Sequence, residues 1–442
     1  MAIFGAPNYV LCIFLVFFCV VRSDKKCNKA LNDYETYLGT KTPYRIVANY
    51  TTNEIKYDDC KATKLWAMVR HGTRNPNAKL IDRMNTRLVE IRDGILENFP
   101  EGNGEIQNFD LDLFRGWSPK LEAKDEKKLT HEGEDEMVFL AERLQSRFPG
   151  IFTSVYSDSA FKFKFTATQR TKKSAQAFAA GLFGRNVVKD INFPEPLKKD
   201  PVLRFYKLCN KWRKEVSKNP KALNERIKFE NGATMTKTID GVNKRLGFDN
   251  ELDFSDVHAM YMTCAFETAW NKRKRSPWCS VFSTDDFKVM EYAEDLKYYW
   301  IDGYGHELTY KQACPALTNM IEFFQTNESF PKSTVYFTHS GTLLKMLAHL
   351  ELYKEKNHLL ADDFDKNSDR NWKVSQIDSF GTNLIFILFD CKGQKKVLTM
   401  HQEDIVHLQS CPNSDLCDFD TFINYYNKNL ECPFDTMCEN EL

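Results

Sequence analysis

Two histidines and three arginines carry the chemistry this chain's sequence offers. Arg70-His71-Gly72-Thr73-Arg74-Asn75-Pro76 follows directly on the apolar run Leu65 to Val69. A neutral imidazole held in line can attack phosphorus. A phosphoryl group in transfer spreads its charge over its equatorial oxygens, so catalysis is mostly positioning and charge stabilisation. An arginine fork pairs with two such oxygens at once. Gly72 lets the backbone come close to a ligand. His71 therefore reads as a nucleophile, with Arg70 and Arg74 as its clamp and Thr73 as a neighbouring substrate contact. Arg170, in Thr168-Gln169-Arg170-Thr171, and His339 each stand between an expected strand and an expected helix. Taken alone, Arg170 is a solvated arginine at a helix start and His339 a satisfied core histidine. Close to the first cluster, Arg170 completes the clamp, and His339 stands at a helix N-terminus, which favours anions.

These residues need strands to deliver them. Leu65 to Val69 is short, apolar and strand-like. Phe161 to Thr168 begins in strict alternation, as a half-buried strand does. Val335 to Thr338 is a third strand, ending at His339, and Asn383 to Asp390 is apolar enough for mid-sheet. Between them lie helical patterns: Glu134 to Phe148, stopped by Pro149-Gly150, then a helix bearing Ala175, Phe178, Ala179 and Leu182, and one bearing Leu343, Leu344, Leu347 and Leu350. Strands alternating with helices predict an α/β fold, a central, mostly parallel sheet flanked by helices. Residues 185–291 change character: charged, helical in propensity and poor in strand signals. They predict an inserted, mainly helical cap over a core made of 24–184 and 292–442. Ligands of open α/β sheets sit at the carboxyl ends of strands, so Arg70, His71, Arg170 and His339 are expected to meet there.

The segment Arg70 to Pro76 resembles the RHGxRxP signature of the histidine acid phosphatases, and His339 is similar to the second histidine of their HD or HAE motif. Arg170, followed by Ser174 and Ala175, resembles their downstream phosphate-binding arginine. Four further segments look like the multiple inositol polyphosphate phosphatase branch: Leu203-Arg204-Phe205-Tyr206 leading to Cys209, Cys264-Ala265-Phe266, Ser276-Pro277-Trp278-Cys279, and Tyr292 through Gly305. The resemblance covers most of residues 60–390. It implies the histidine phosphatase fold and hydrolysis through a phosphohistidine on the first histidine. The arginines and the second histidine then hold phosphate oxygens. It implies inositol phosphates, phytate included, as substrates, with 2,3-bisphosphoglycerate in some members, and no metal or other cofactor. The sequence agrees on the last point: His131-Glu132-Gly133-Glu134 is not HExxH. Lys207 and Lys211, in a basic run with Arg204, Arg213 and Lys214, are candidate substrate contacts, although such runs are commonly solvated helix faces.

The chain departs from the resemblance at one place. The family carries an acid just after its second histidine, to protonate the leaving oxygen, and this chain reads His339-Ser340-Gly341-Thr342. General acid help is worth roughly 10²–10⁴-fold. Either another acid reaches in or turnover of alkoxide-leaving substrates is slow. Two other readings follow: a weakly active protein that binds inositol phosphates, and a general acid phosphatase.

Composition sets the frame. The 442 residues are 42% hydrophobic and 13% aromatic, which excludes disorder, and the formal net charge of zero points to no nucleic-acid or membrane-surface partner. Tyr9 to Val21 is an apolar run short of a membrane span, and residues 1–23 are expected to be a signal peptide cleaved before Asp24. Of 13 cysteines, Cys12 and Cys19 lie in that segment, and the other eleven predict disulfides with an odd thiol left over. Cys411, Cys417, Cys432 and Cys438 crowd the tail and are expected to staple it, zinc being disfavoured by irregular spacing without histidine. Asn49 and Asn327 begin glycosylation sequons. Glu439 to Leu442 loosely resembles a luminal retention signal, so the chain is expected in the secretory pathway, secreted or kept in the endoplasmic reticulum.

Overall fold

The computed structural model describes residues 33–101, 104–430 and 432–440. The expected signal peptide and Cys27 lie outside the described residues. Its centre is one sheet in the order β2-β3-β1-β4-β5-β6, with β7 pairing β5. The strands are β1 (Cys60–Arg70), β2 (Phe161–Phe165), β3 (Ser333–Thr338), β4 (Asn383–Cys391), β5 (Gln394–His401), β6 (Asp404–Ile405) and β7 (Leu416–Asp418). β1, β3 and β2 run parallel. From β4 onward the added strands are antiparallel.

Alternation along the strands makes two cores. On β1, Trp66 and Met68 join one apolar cluster, while Leu65, Ala67 and Val69 join the other. On β4, Leu384, Phe386 and Leu388 fall with the first and Ile385, Ile387 and Phe389 with the second. Both faces of these strands are buried, which is why the sequence shows apolar runs there rather than alternation. The second core is closed by helices His131–Arg147 and Gln169–Phe183, through Met137, Leu140, Leu144, Ala175 and Phe178. The first is closed by Ser340–His349 and by a broad helical layer that includes Ala233–Leu246, Phe254–Trp270 and Thr284–Asp302.

Two features of that layer differ from the sequence reading. Helices Ala78–Asn85, Arg87–Asn98 and Asn108–Arg115 belong to it, packing Leu88, Ile91 and Phe114 into the same core as Val242 and Trp278. The boundary expected at residue 291 falls inside the helix Thr284–Asp302, which packs against Ser340–His349.

Five disulfides join described residues: Cys60–Cys391, Cys209–Cys438, Cys264–Cys279, Cys314–Cys432 and Cys411–Cys417. The tail cysteines thus do not all pair among themselves. Cys432 and Cys438 pin the tail to the body, leaving only Cys411–Cys417 as a local staple. Among the described residues no helix is long and apolar enough to cross a membrane.

Candidate active site

The parallel strands end side by side, and their ends carry the site. β1 delivers Arg70 and His71, β3 delivers His339 and β2 is followed by Thr166. Backbone bonds carry on past the strand ends: His71 N–H donates to Thr338 O at 3.1 Å and Thr166 N–H to Phe337 O at 3.1 Å. The rings of His71 and His339 lie 5.6 Å apart, both buried.

Hydrogen bonds fix both tautomers. His71 Nδ1–H donates to Gly72 O at 2.9 Å, which leaves the Nε2 lone pair uncommitted. Arginine can only donate, so the 3.2 Å contact from Arg170 Nη2 makes His339 Nδ1 an acceptor. His339 Nε2–H then donates to Thr166 Oγ1 at 2.9 Å. Burial, followed by the charge of Arg170, holds both imidazoles well below the usual histidine value of 6.5. Proton uptake is disfavoured in the fold, so these groups favour the folded state above pH 6.5. That contribution is lost as the pH falls from 6.5 towards their lower folded values. The ring C–H resonances of His71 and His339, followed by nuclear magnetic resonance in the ligand-free protein, are expected to titrate clearly below 6.5. A midpoint at 6.5 or above for His71 would contradict this.

Around the histidines stand guanidinium groups. Arg70 Nη1 donates to the carbonyls of Asp378 and Ser379 at 2.6 and 3.0 Å, and the group lies 4.8 Å over the Phe380 ring. Arg74 Nη1 donates to Asn75 O at 2.7 Å, with the group 5.6 Å over Phe266. Arg170 comes from the first turn of Gln169–Phe183. A fourth, Arg204, is felt by both Arg170 and His339. Burial and mutual repulsion press Arg74 down to about 9 and Arg170 to about 10, so both remain cations at neutral pH. Among the described residues, the Nε–H groups of Arg70, Arg170 and Arg204 are buried without a hydrogen-bond partner. Buried donors left unpaired are costly. A tetrahedral oxyanion with several acceptor oxygens is the chemistry that would satisfy them. One carboxylate, Asp378, lies 3.6 Å from Arg70 Nη1; burial raises it to about 6, opposed by Arg70.

The turn is braced from behind. Glu136 accepts from Thr73 N–H at 2.7 Å, Thr73 Oγ1–H at 2.8 Å and Tyr44 N–H at 3.3 Å. Burial lifts it to about 7 against those bonds. Thr73, read from sequence as a substrate contact, thus spends its hydroxyl on Glu136. Gly72 is also explained differently. A Cβ there would meet Gly133 O at 2.3 Å, and one on Gly133 would meet Thr73 O at 2.2 Å. The glycine serves the approach of the turn to a helix backbone.

Of the other sequence candidates, Lys207 is exposed, with its ammonium 5.8 Å over the Tyr206 ring. Lys211 pairs with Glu439 at 2.8 Å and is not among the gathered cations. Asn49 Nδ2 donates to Asp404 at 2.7 Å, and Asn327 is exposed. Of the basic run read from sequence, Arg204 is the member that reaches this cluster, while Lys41, a buried cation that feels the charge of Arg74, went unread. Arg204 was visible as part of a motif; nothing marked Lys41. Among the described residues no cluster of His, Cys, Asp or Glu could hold a metal ion.

Comparison with known proteins gives consistent neighbours. The family model described as the histidine phosphatase superfamily (branch 2) matches residues 62–407. Multiple inositol polyphosphate phosphatase 1 of Drosophila melanogaster is 32% identical over 401 residues, covering 88% of this chain and 84% of that protein. Its human counterpart is 29% identical, covering 86% and 88%. Among solved structures, the phytase from D. castellii superposes with a TM-score of 0.75 at 15% identity, covering 95% of this chain and 91% of that one. Bifidobacterium longum multiple inositol polyphosphate phosphatase, in complex with inositol hexasulfate, gives 0.67 at 14% identity, covering 87% and 96%.

Proposed function

We propose, from the premise that this chain belongs to branch 2 of the histidine phosphatase superfamily, that it removes phosphates from inositol polyphosphates, with His71 as the phosphorylated nucleophile. The observation that carries the reading is the neutral His71 Nε2 lone pair set among guanidinium groups with unpaired buried donors. In this reading Arg70, Arg74 and Arg170 bind the scissile phosphate, joined by Arg204. Nε2 attacks phosphorus and the ester oxygen departs. His339 holds Arg170 in place and lies beside the transferred group. Water then cleaves the P–N bond, restoring His71 and releasing inorganic phosphate.

Support for the substrate class comes from the relatives, which bear inositol polyphosphate phosphatase and phytase names. The surplus of cations over carboxylates around the histidines suits a ligand with many phosphates. Five disulfides favour an oxidising compartment, so the secretory pathway is the proposed setting. The test is phosphate release from phytate by the purified protein, with trapping of the intermediate. Protein quenched in alkali during turnover should carry one acid-labile phosphate on His71. No release and no label would remove the reading.

A further inference from the structure

The sequence leaves the leaving oxygen without a proton donor, because Gly341 stands where the family has an acid. The space a side chain at 341 would enter is not empty. A Cβ built on Gly341 would lie 2.9 Å from Asp302 Oδ1 and 3.5 Å from Asp302 Cγ. Asp302 is the last residue of the helix Thr284–Asp302, and Gly341 lies in the first turn of Ser340–His349. A carboxylate from one helix thus fills the gap left by the glycine of the other. We propose that Asp302 is the general acid of this chain, delivered from the helical layer instead of from the residue after the second histidine. This rests on the phosphatase reading above.

The surroundings of Asp302 suit that role. Its Oδ1 accepts from Lys345 Nζ, and among the described residues its Oδ2 has no hydrogen-bond partner. Lys345 is fully buried and Asp302 is 14% exposed, so the carboxyl is the member of the pair that a substrate can reach. Lys345 is anchored by Gly341 O at 3.3 Å and by the Tyr206 and Trp212 rings at 5.0 and 4.4 Å. It holds the acid in place and stabilises the carboxylate left after proton transfer. The other nearby carboxyl, Asp378, is fully buried and takes the Ser340 hydroxyl and Arg70, so it positions those groups and has no open side.

The step balances. His71 Nε2 forms the P–N bond as the P–O ester bond breaks, its electron pair going to the inositol oxygen, which takes the Asp302 carboxyl proton. In the second half, the Asp302 carboxylate takes a proton from the water that attacks phosphorus, and the P–N pair returns to His71.

The assignment also changes what Gly341→Glu should do. Alone, it places a second carboxylate against the first and should not raise phytate turnover. The decisive experiment compares phytate, whose leaving group is an alkoxide, with p-nitrophenyl phosphate, whose leaving group needs little protonation. Asp302→Asn keeps the contact to Lys345. It is expected to lower kcat on phytate by roughly 10²–10³-fold and on p-nitrophenyl phosphate by less than about tenfold. Inositol hexasulfate should bind to within about threefold of wild type, since the donor acts mainly in the transition state. The double variant Asp302→Ala with Gly341→Glu should recover at least about tenfold over Asp302→Ala on phytate, because a carboxylate returns to the same gap. Equal losses on both substrates would mark a structural role and overturn the assignment. So would undiminished phytate turnover by Asp302→Asn in a protein whose wild type forms phosphohistidine. A wild type that neither turns over phytate nor labels His71 would overturn the phosphatase reading itself, and Asp302 with it.

Discussion

His71→Ala is expected to eliminate phosphate release from phytate, a loss of ~10⁴-fold or greater, while the protein stays folded. The size follows from the role. With Nε2 gone, no atom remains to form the P–N bond, and the arginines can only bind what they cannot cleave. Folding should survive because, among the described residues, the ring's one hydrogen bond is to the carbonyl of the next residue, Gly72. Losing it costs about 1 kcal/mol, and removing the ring leaves a small cavity among polar neighbours. Circular dichroism and inositol hexasulfate binding should match wild type, and the acid-labile label should be absent. Turnover within about tenfold of wild type would show that another group attacks phosphorus.

Gly133→Ala is expected to destabilise the protein and to cut kcat by roughly 100-fold, against what helix propensity predicts. Gly133 lies in the first turn of His131–Arg147, where alanine is ordinarily favoured by about 1 kcal/mol. The added methyl, however, would sit 2.2 Å from Thr73 O and 2.7 Å from Thr73 N. Neither atom belongs to a flexible side chain, so the helix or the turn must move. Overpacking of this kind costs about 1–3 kcal/mol, and the shift falls on the residues that flank His71 and brace it through Glu136. A displacement of about 1 Å at a reacting group costs on the order of 10²-fold in rate. Gly150→Ala is the control, since nothing lies within 4 Å of its added carbon. A Gly133→Ala protein with unchanged melting temperature and kcat would refute the close approach.

The core of the site was legible where function and local chain geometry coincide. Arg70 to Pro76 is one turn after one strand, so strand and chemistry are read together. Arg170 and His339 were found because each stands at a strand-to-helix junction. Asp302 was not, because its place depends on the approach of one helix to another, and no periodicity encodes that. It lay within a segment that resembled the family, yet its type alone gave it no task, and Arg204 was met only as one of a basic run. The same limit hid the contact between Gly72 and Gly133, residues 61 positions apart whose meeting no local pattern announces. β5 escaped notice because its first half, Gln394-Lys395-Lys396, is polar and solvent-facing, and only its second half joins the core. Cysteine pairing is open to sequence in principle only as a set of combinations.

The Cys60–Cys391 bridge ties the start of β1 to the end of β4 across 331 positions of sequence. His71, Arg70, Arg74, Arg170, Arg204, Asp302 and His339 all fall between the two sulfurs, so every residue proposed for catalysis lies on a closed ring of chain. A protease that cuts one exposed loop of the helical layer therefore opens the ring without releasing a fragment. The nicked molecule keeps its mass until a reductant is added, and the strands that present the histidines remain tethered to each other. Such a molecule can be clipped and still hold its parts in register.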